Sequence, residues 1–139
     1  MIIDTMILEL ENLLLAALQA AITGPGVLVE AYPDKVDNYV LKGTAAVLVH
    51  YAGAEFTPPD GSEYVRQMLG ASFQVVTVSR DLRTHTGAYA LMDTIRDHVL
   101  GLEYRNKQFF AVSEQLLARE NGVWWYGQTF AVQQRAKQA

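Results

Sequence analysis

The stretch Tyr64-Val65-Arg66-Gln67-Met68-Leu69-Gly70-Ala71-Ser72-Phe73-Gln74-Val75-Val76-Thr77-Val78-Ser79-Arg80 is long, extended in character and free of proline. Leu69, Ala71, Phe73, Val75 and Thr77 fall on one side of an extended chain and Ser72, Gln74, Val76 and Val78 on the other, because strand side chains alternate with a period of two. This predicts a long strand. The chain then changes period. Ala88, Leu91, Met92, Ile95, Val99 and Leu102 recur at three- and four-residue steps, which predicts a helix with Asp93, Arg96 and Asp97 toward water. Thr84 or Thr86 is its expected cap, and Gly101 or its neighbours the stop.

Beyond the helix, Phe109 to Arg119 and Val123 to Gln133 read as two strands. Asn121-Gly122 between them favours a tight type I′ turn. Upstream, Val27 to Tyr32 is a short strand ended by Pro33-Asp34, and a polar segment runs from there to Lys42-Gly43. Ala45 to Tyr51 is a second strand whose apolar run suits a central position. Residues 52–63 contain Gly53, Pro58, Pro59 and Gly61 and are expected to form a mobile or partner-ordered loop. The N-terminal stretch carries Ile3, Met6, Ile7, Leu10, Leu14, Ala17, Leu18 and Ala21 on one helical stripe, with Asp4 as cap and Gly24-Pro25 as stop. Leu8, Leu13, Leu15 and Ile22 lie off that stripe. The extra width fits either a deep position in the chain's own core or burial against another subunit.

The order is α-β-β-β-α-β-β: two helices on a mainly antiparallel sheet, an α+β fold. The chain has 139 residues and 15.4 kDa, and residues 1–139 read as one domain. Half the residues are hydrophobic, so the chain can build a core. Eleven basic and fifteen acidic residues give a net charge of −4. That balance argues against free nucleic acid as the main partner. Without cysteine there is no disulfide framework, thiolate metal site or thiol nucleophile. No run of about twenty apolar residues occurs, so no membrane helix is expected. The N-terminus lacks a signal-peptide pattern and reads as mature structure made in the cytoplasm.

Motifs for chemistry are missing. His50, His85 and His98 fit no metal-ligand spacing: His85 and His98 are thirteen residues apart, about 220° around a helix. Gly24-Pro25-Gly26 follows a helix and precedes no Gly-Lys-Ser/Thr, so it is no phosphate loop. Ser62, Ser72, Ser79 and Ser113 sit in no nucleophile elbow. The expectation is no catalytic, cofactor or metal site. The positive signal is surplus surface. Trp124 and Trp125 are adjacent on a strand, so their rings face opposite sides of the sheet. Helices on one face can cover only one of them. Tyr126 and Phe130 accompany Trp124, which assigns Trp124 to the core and Trp125 to the outer face.

Four stretches occur in a recognisable order: Glu30-Ala31-Tyr32-Pro33-Asp34, Val49-His50-Tyr51-Ala52-Gly53-Ala54-Glu55-Phe56, Gly87-Ala88-Tyr89-Ala90-Leu91-Met92-Asp93-Thr94-Ile95-Arg96 and Glu120-Asn121-Gly122-Val123-Trp124-Trp125-Tyr126. Together they resemble the tail-terminator, or tail-completion, family of Mu-like contractile-tailed phages and prophages, over nearly the whole chain. The resemblance implies a virion protein that forms a hexameric ring on the head-proximal end of the tail tube. Such a ring stops tube and sheath growth, meets the neck or connector protein, and lets DNA through its lumen without specific binding. Assembly would occur in the host bacterial cytoplasm. The family offers no catalytic motif to carry over.

The expected contact residues are Leu8, Leu15, Phe56, Pro58, Pro59 and Trp125. Arg66, Arg80, Arg83, Arg105 and Lys107 are expected to be spread over loops and rims. The alternatives are another neck or head–tail joining protein of similar fold, or an α+β enzyme or small-ligand binder with a pocket near His50, Tyr51 and Glu55.

Overall fold

The computed structural model describes residues 6–33, 39–59, 61, 66–85 and 87–137. Its elements are α1 (Met6–Ala21), β1 (Val27–Ala31), β2 (Ala45–Phe56), β3 (Arg66–Ser79), α2 (Ala88–Val99), β4 (Glu103–Tyr104), β5 (Lys107–Gln108), β6 (Phe110–Glu120) and β7 (Val123–Lys137). The fold is α+β. Five strands form one sheet in the order β1-β2-β3-β7-β6, and β4 and β5 form a small separate hairpin. Every pairing in the large sheet is antiparallel except β1 with β2.

The alternation in β3 sets the layers. Leu69, Ala71, Phe73 and Val75 are buried with Phe130 and Val132 of β7 and Ala45, Val47 and Val49 of β2. Both helices cover this side. Leu10, Leu14 and Leu18 of α1 and Leu91, Ile95 and Val99 of α2 are buried there too. Leu13 and Leu15 pack against the same cluster and Ile22 joins it, so most of the off-stripe width of α1 is absorbed within the chain. Ile3 and Asp4 lie outside the described residues.

Among the described residues, the opposite sheet face is covered only at one end. Leu41 lies buried over Ala46, Leu48, Val76 and Val78, and Tyr32, Tyr39, Val123 and Trp125 pack around them. Arg80 holds the covering segment by donating from Nη2 to the Leu41 carbonyl at 3.1 Å and from Nε to the Gly43 carbonyl at 3.3 Å. Burial, reinforced by Glu30 and Tyr32, raises the Tyr39 phenol above its ordinary pKa.

Three sequence expectations need correction. First, β2 does not stop at Tyr51: it continues to Phe56 through a bulge at Ala52. Gly53 takes a φ of +130° there, which explains how a glycine sits inside a strand. The excursion therefore begins at Thr57; Asp60, Ser62 and Glu63 lie outside the described residues. Second, the N-cap of α2 is Gly87, with no side-chain cap. Backbone carbonyls replace it: Ala88 donates to Asp81 and Tyr89 to Leu82, at 2.9 and 3.0 Å. The loop before the helix thus answers the orphan N–H groups of the first turn. Thr86 lies outside the described residues. Third, Trp124 shares its strand face with Phe130 but lies outside the buried core, half-exposed beneath the Arg119 guanidinium 4.7 Å from its ring centre. The turn at Asn121-Gly122 is as the sequence reads, with φ of 54° and 73°.

Candidate interaction surface

β6 is an edge strand with few covered side chains. It pairs only with β7, and ten of its eleven residues are exposed. Among them Val112 is 55 % exposed and Leu116 51 %, with Phe110 and Leu117 also bare. Val112 and Leu117 occupy two breaks in the pairing register, so each is an extra residue in a bulge. Leu117 reaches toward Gly127, where an added Cβ would come within 3.0 Å of its Cδ1.

Among the described residues, the sheet face away from the helices is left open beyond Gln74. Ser72 and Gly70 of β3 and Ala131 and Gln133 of β7 form its floor, and Phe56, Met68, Phe110 and Val112 its walls. The groove measures about 390 Å³. It leads into a cleft edged by Thr57, Pro58, Arg66 and Arg135.

The residues singled out from sequence are scattered over this body. Phe56, at 57 % exposure, stands at the groove with Pro58 and Pro59 exposed just after it. Leu8 is exposed on α1, far in sequence from that site, and Leu15 packs partly into the main core. Trp125 faces away from the helices, as read from sequence, but is half-buried, with Tyr39 edge-on at 5.7 Å. The cations are less spread than expected. Arg66 and Arg135 share one cleft, and Arg105 and Lys107 line the next with Arg135. Arg80 is occupied with the covering segment, and Arg83 lies over the Tyr89 ring.

Several polar side chains among the described residues are engaged structurally. His50 Nε2 meets Gln74 Oε1 at 2.8 Å, and the His50 ring sits edge-on to Tyr32. His98 Nδ1 lies 2.9 Å from the Thr94 carbonyl. Arg96 does more than the surface cluster Asp93/Arg96/Asp97 suggested, because it also binds Glu114 of β6 through two nitrogens. That hydrogen-bonded pairing holds the Glu114 carboxyl below the usual carboxylate range and pushes the Arg96 guanidinium further up. Gln128, fully buried, donates to both Glu114 and the Met92 carbonyl. Among the described residues no three His, Asp or Glu side chains are grouped to hold a metal. No described helix is long and apolar enough to cross a membrane.

Sequence reasoning missed Phe110, Val112, Leu117, Glu114 and the pairing of Arg66 with Arg135 in one cleft. One signal was available. Leu116-Leu117 is an apolar doublet that breaks strand alternation, as a bulge does.

Residues 14–137 match the model of the Gp37 family, described as Gp37 protein. The chain belongs to the Gp37 family. The matched span starts inside α1 and includes every strand and α2, so membership covers the groove and the β6 edge alike. Among curated proteins no sequence matches. Among solved structures, a chain of the virion of a native gene transfer agent particle is similar, at 14 % identity and a TM-score of 0.48, over 93 % of this chain and 89 % of that one.

Proposed function

We propose that this Gp37-family protein is a virion subunit of the phage tail. In this reading it is a tail terminator, forming a ring at the head-proximal end of the tube that stops polymerisation and joins the tail to the neck. Its role is assembly, without turnover. The observation that carries the reading is the apolar surface left bare along β6 and around Phe56 after both helices have packed on the other side of the sheet. Exposed apolar patches of this kind mark contacts with other macromolecules. The resemblance of the four sequence stretches to tail terminators supplies the identity of the contact partners.

Phe56, Pro58, Pro59 and Leu8 are the proposed contacts that are exposed. Leu15 and Trp125 contribute only the parts their own chain leaves uncovered. Six copies would weigh roughly 92 kDa and close as a ring of repeated heterologous contacts. The partners are the tube and sheath proteins on one side and the neck protein on the other, with DNA passing unbound through the lumen.

The test is deletion of the gene in its phage or prophage, followed by electron microscopy of the particles. Overlong or headless tails are expected. Tails of normal length that fail only to join heads would assign a neck or joining protein instead. Normal infectious particles would refute the virion role altogether.

A further inference from the structure

The chain carries two exposed surfaces that complement each other. One is the open-face groove walled by Phe56, Met68, Phe110 and Val112, continued by the cleft of Arg66 and Arg135. Both arginines are exposed, and among the described residues neither has a carboxylate at ion-pair distance. Glu55 also lines the groove, which leaves the described lining of groove and cleft with a net positive charge. Arg105 and Lys107, next to Arg135, extend it, although Arg105 lies 3.8 Å from Glu9. The other surface is the outward stripe of α2. Tyr89, Asp93 and Asp97 follow at four-residue steps, and Leu100 stands at the C-terminal cap. Tyr89 and Leu100 are exposed apolar groups, and the Asp93 side chain is 71 % exposed. Asp97 makes no ion pair among the described residues. Arg96 in this stripe is already engaged by Glu114 and Asp93, and Arg83 lies at its N-terminal end over Tyr89.

We infer that the groove and its arginine cleft receive the Tyr89–Asp97 stripe of α2 from a second copy of this chain. Apolar groups then meet apolar groups, and Arg66 and Arg135 gain the carboxylates they lack. Placement fixes the symmetry. The groove floor, Gly70, Ser72, Ala131 and Gln133, alternates along β3 and β7 with Ala71, Phe73, Phe130 and Val132, which face the helices. Groove and stripe therefore lie on opposite faces of one sheet. Two copies cannot each present both opposite faces to the other across one interface, so the contact runs head to tail and does not close as a two-fold dimer. Repeated, it closes into a ring or runs on as a filament. This rests on the ring reading above and adds the two surfaces that would build it.

The test is a charge exchange read by light scattering behind a sizing column, on the full chain. One variant is Arg66→Glu with Arg135→Glu. The other is Asp97→Arg, chosen because Asp97 makes no ion pair among the described residues; far-UV dichroism and melting check that each is folded. Wild type is expected to associate at micromolar concentration, and each variant alone to weaken association by about tenfold or more. An equimolar mixture should recover it, because each altered groove then meets an altered helix and each native groove a native helix. Wild-type assembly unchanged in both variants overturns this contact while leaving the ring reading intact. A wild type that stays monomeric overturns the second copy as occupant, and the gene deletion then decides the tail role separately. Loss of association without recovery in the mixture also overturns it. So does a groove variant that self-associates normally but fails to bind tail tubes, which would give the groove to another protein.

Discussion

Glu114 on β6 accepts hydrogen bonds from Arg96 Nε and Nη2 on α2, at 2.8 and 2.9 Å, and so fastens the second helix to the edge strand. Buried Gln128 completes the knot, donating to Glu114 Oε2 at 2.8 Å and to the Met92 carbonyl at 3.0 Å. Removing the carboxylate leaves the Gln128 amide one acceptor short inside the protein. Glu114→Ala is expected to cost about 1–2 kcal/mol in denaturant unfolding, because a buried donor loses its partner. The ion pair itself is partly exposed and adds little beyond that. Unchanged stability would show that water replaces Glu114 without cost.

The same carboxylate makes stability depend on acid. Its folded pKa is lowered, first by the Arg96 hydrogen bonds. A lowered carboxyl binds its proton less readily folded than unfolded. Its contribution is therefore complete above the unfolded value, about 4.3 for Glu, and fades as pH falls through the lower folded value. Unfolding free energy of wild type should drop more steeply below about pH 4.3 than that of Glu114→Gln. Parallel curves for the two proteins would contradict the assignment.

Two glycines give opposite outcomes. A Cβ on Gly43 would overlap the Gly26 carbonyl oxygen, a backbone atom that cannot swing aside, whereas one on Gly24 meets nothing within 4 Å. Gly43→Ala should cost about 1–3 kcal/mol or more, the scale of a forced backbone shift. Gly24→Ala should stay within about 0.5 kcal/mol. Equal melting temperatures for the two would show that the Gly26–Gly43 approach is looser than described.

Neighbouring phenylalanines separate stability from association. Phe109 is 2 % exposed and touches the Phe73 ring, while Phe110 is 45 % exposed at the groove. Phe109→Ala should cost about 3–5 kcal/mol. Phe110→Ala should change stability by no more than about 0.5 kcal/mol. The second variant should instead reduce self-association in sedimentation. A Phe110→Ala protein that assembles like wild type would take Phe110 off the contact surface.

Where side chains obey a simple period, the fold was legible in the sequence. The alternation Leu69, Ala71, Phe73, Val75 and the stripe Leu91, Ile95, Val99 fall on the core exactly as their spacing demands of a strand and a helix. Asn121-Gly122 marked its turn because few other pairs accept positive φ twice in succession. What stayed hidden depended on distant partners. The Ala52 bulge carries β2 through a glycine that reads as a stop, and only the pairing with β3 reveals it. The parallel pairing of β1 with β2 is a long-range arrangement that local residues do not encode. The groove was half-legible: Phe56, Pro58 and Pro59 stood out, but Arg66 and Arg135 are 69 positions apart and meet only through the β3–β7 register.

The last strand of the sheet is an interior one: β7, ending at Lys137, lies between β3 and β6. During synthesis α1, β1, β2, β3 and α2 all emerge before the strand whose Phe130 and Val132 fill the floor beneath both helices. Local helix and strand formation can begin early, but the cooperative core cannot close until β7 has been made. A prematurely terminated product therefore lacks a central strand and cannot present a finished groove or a seated α2.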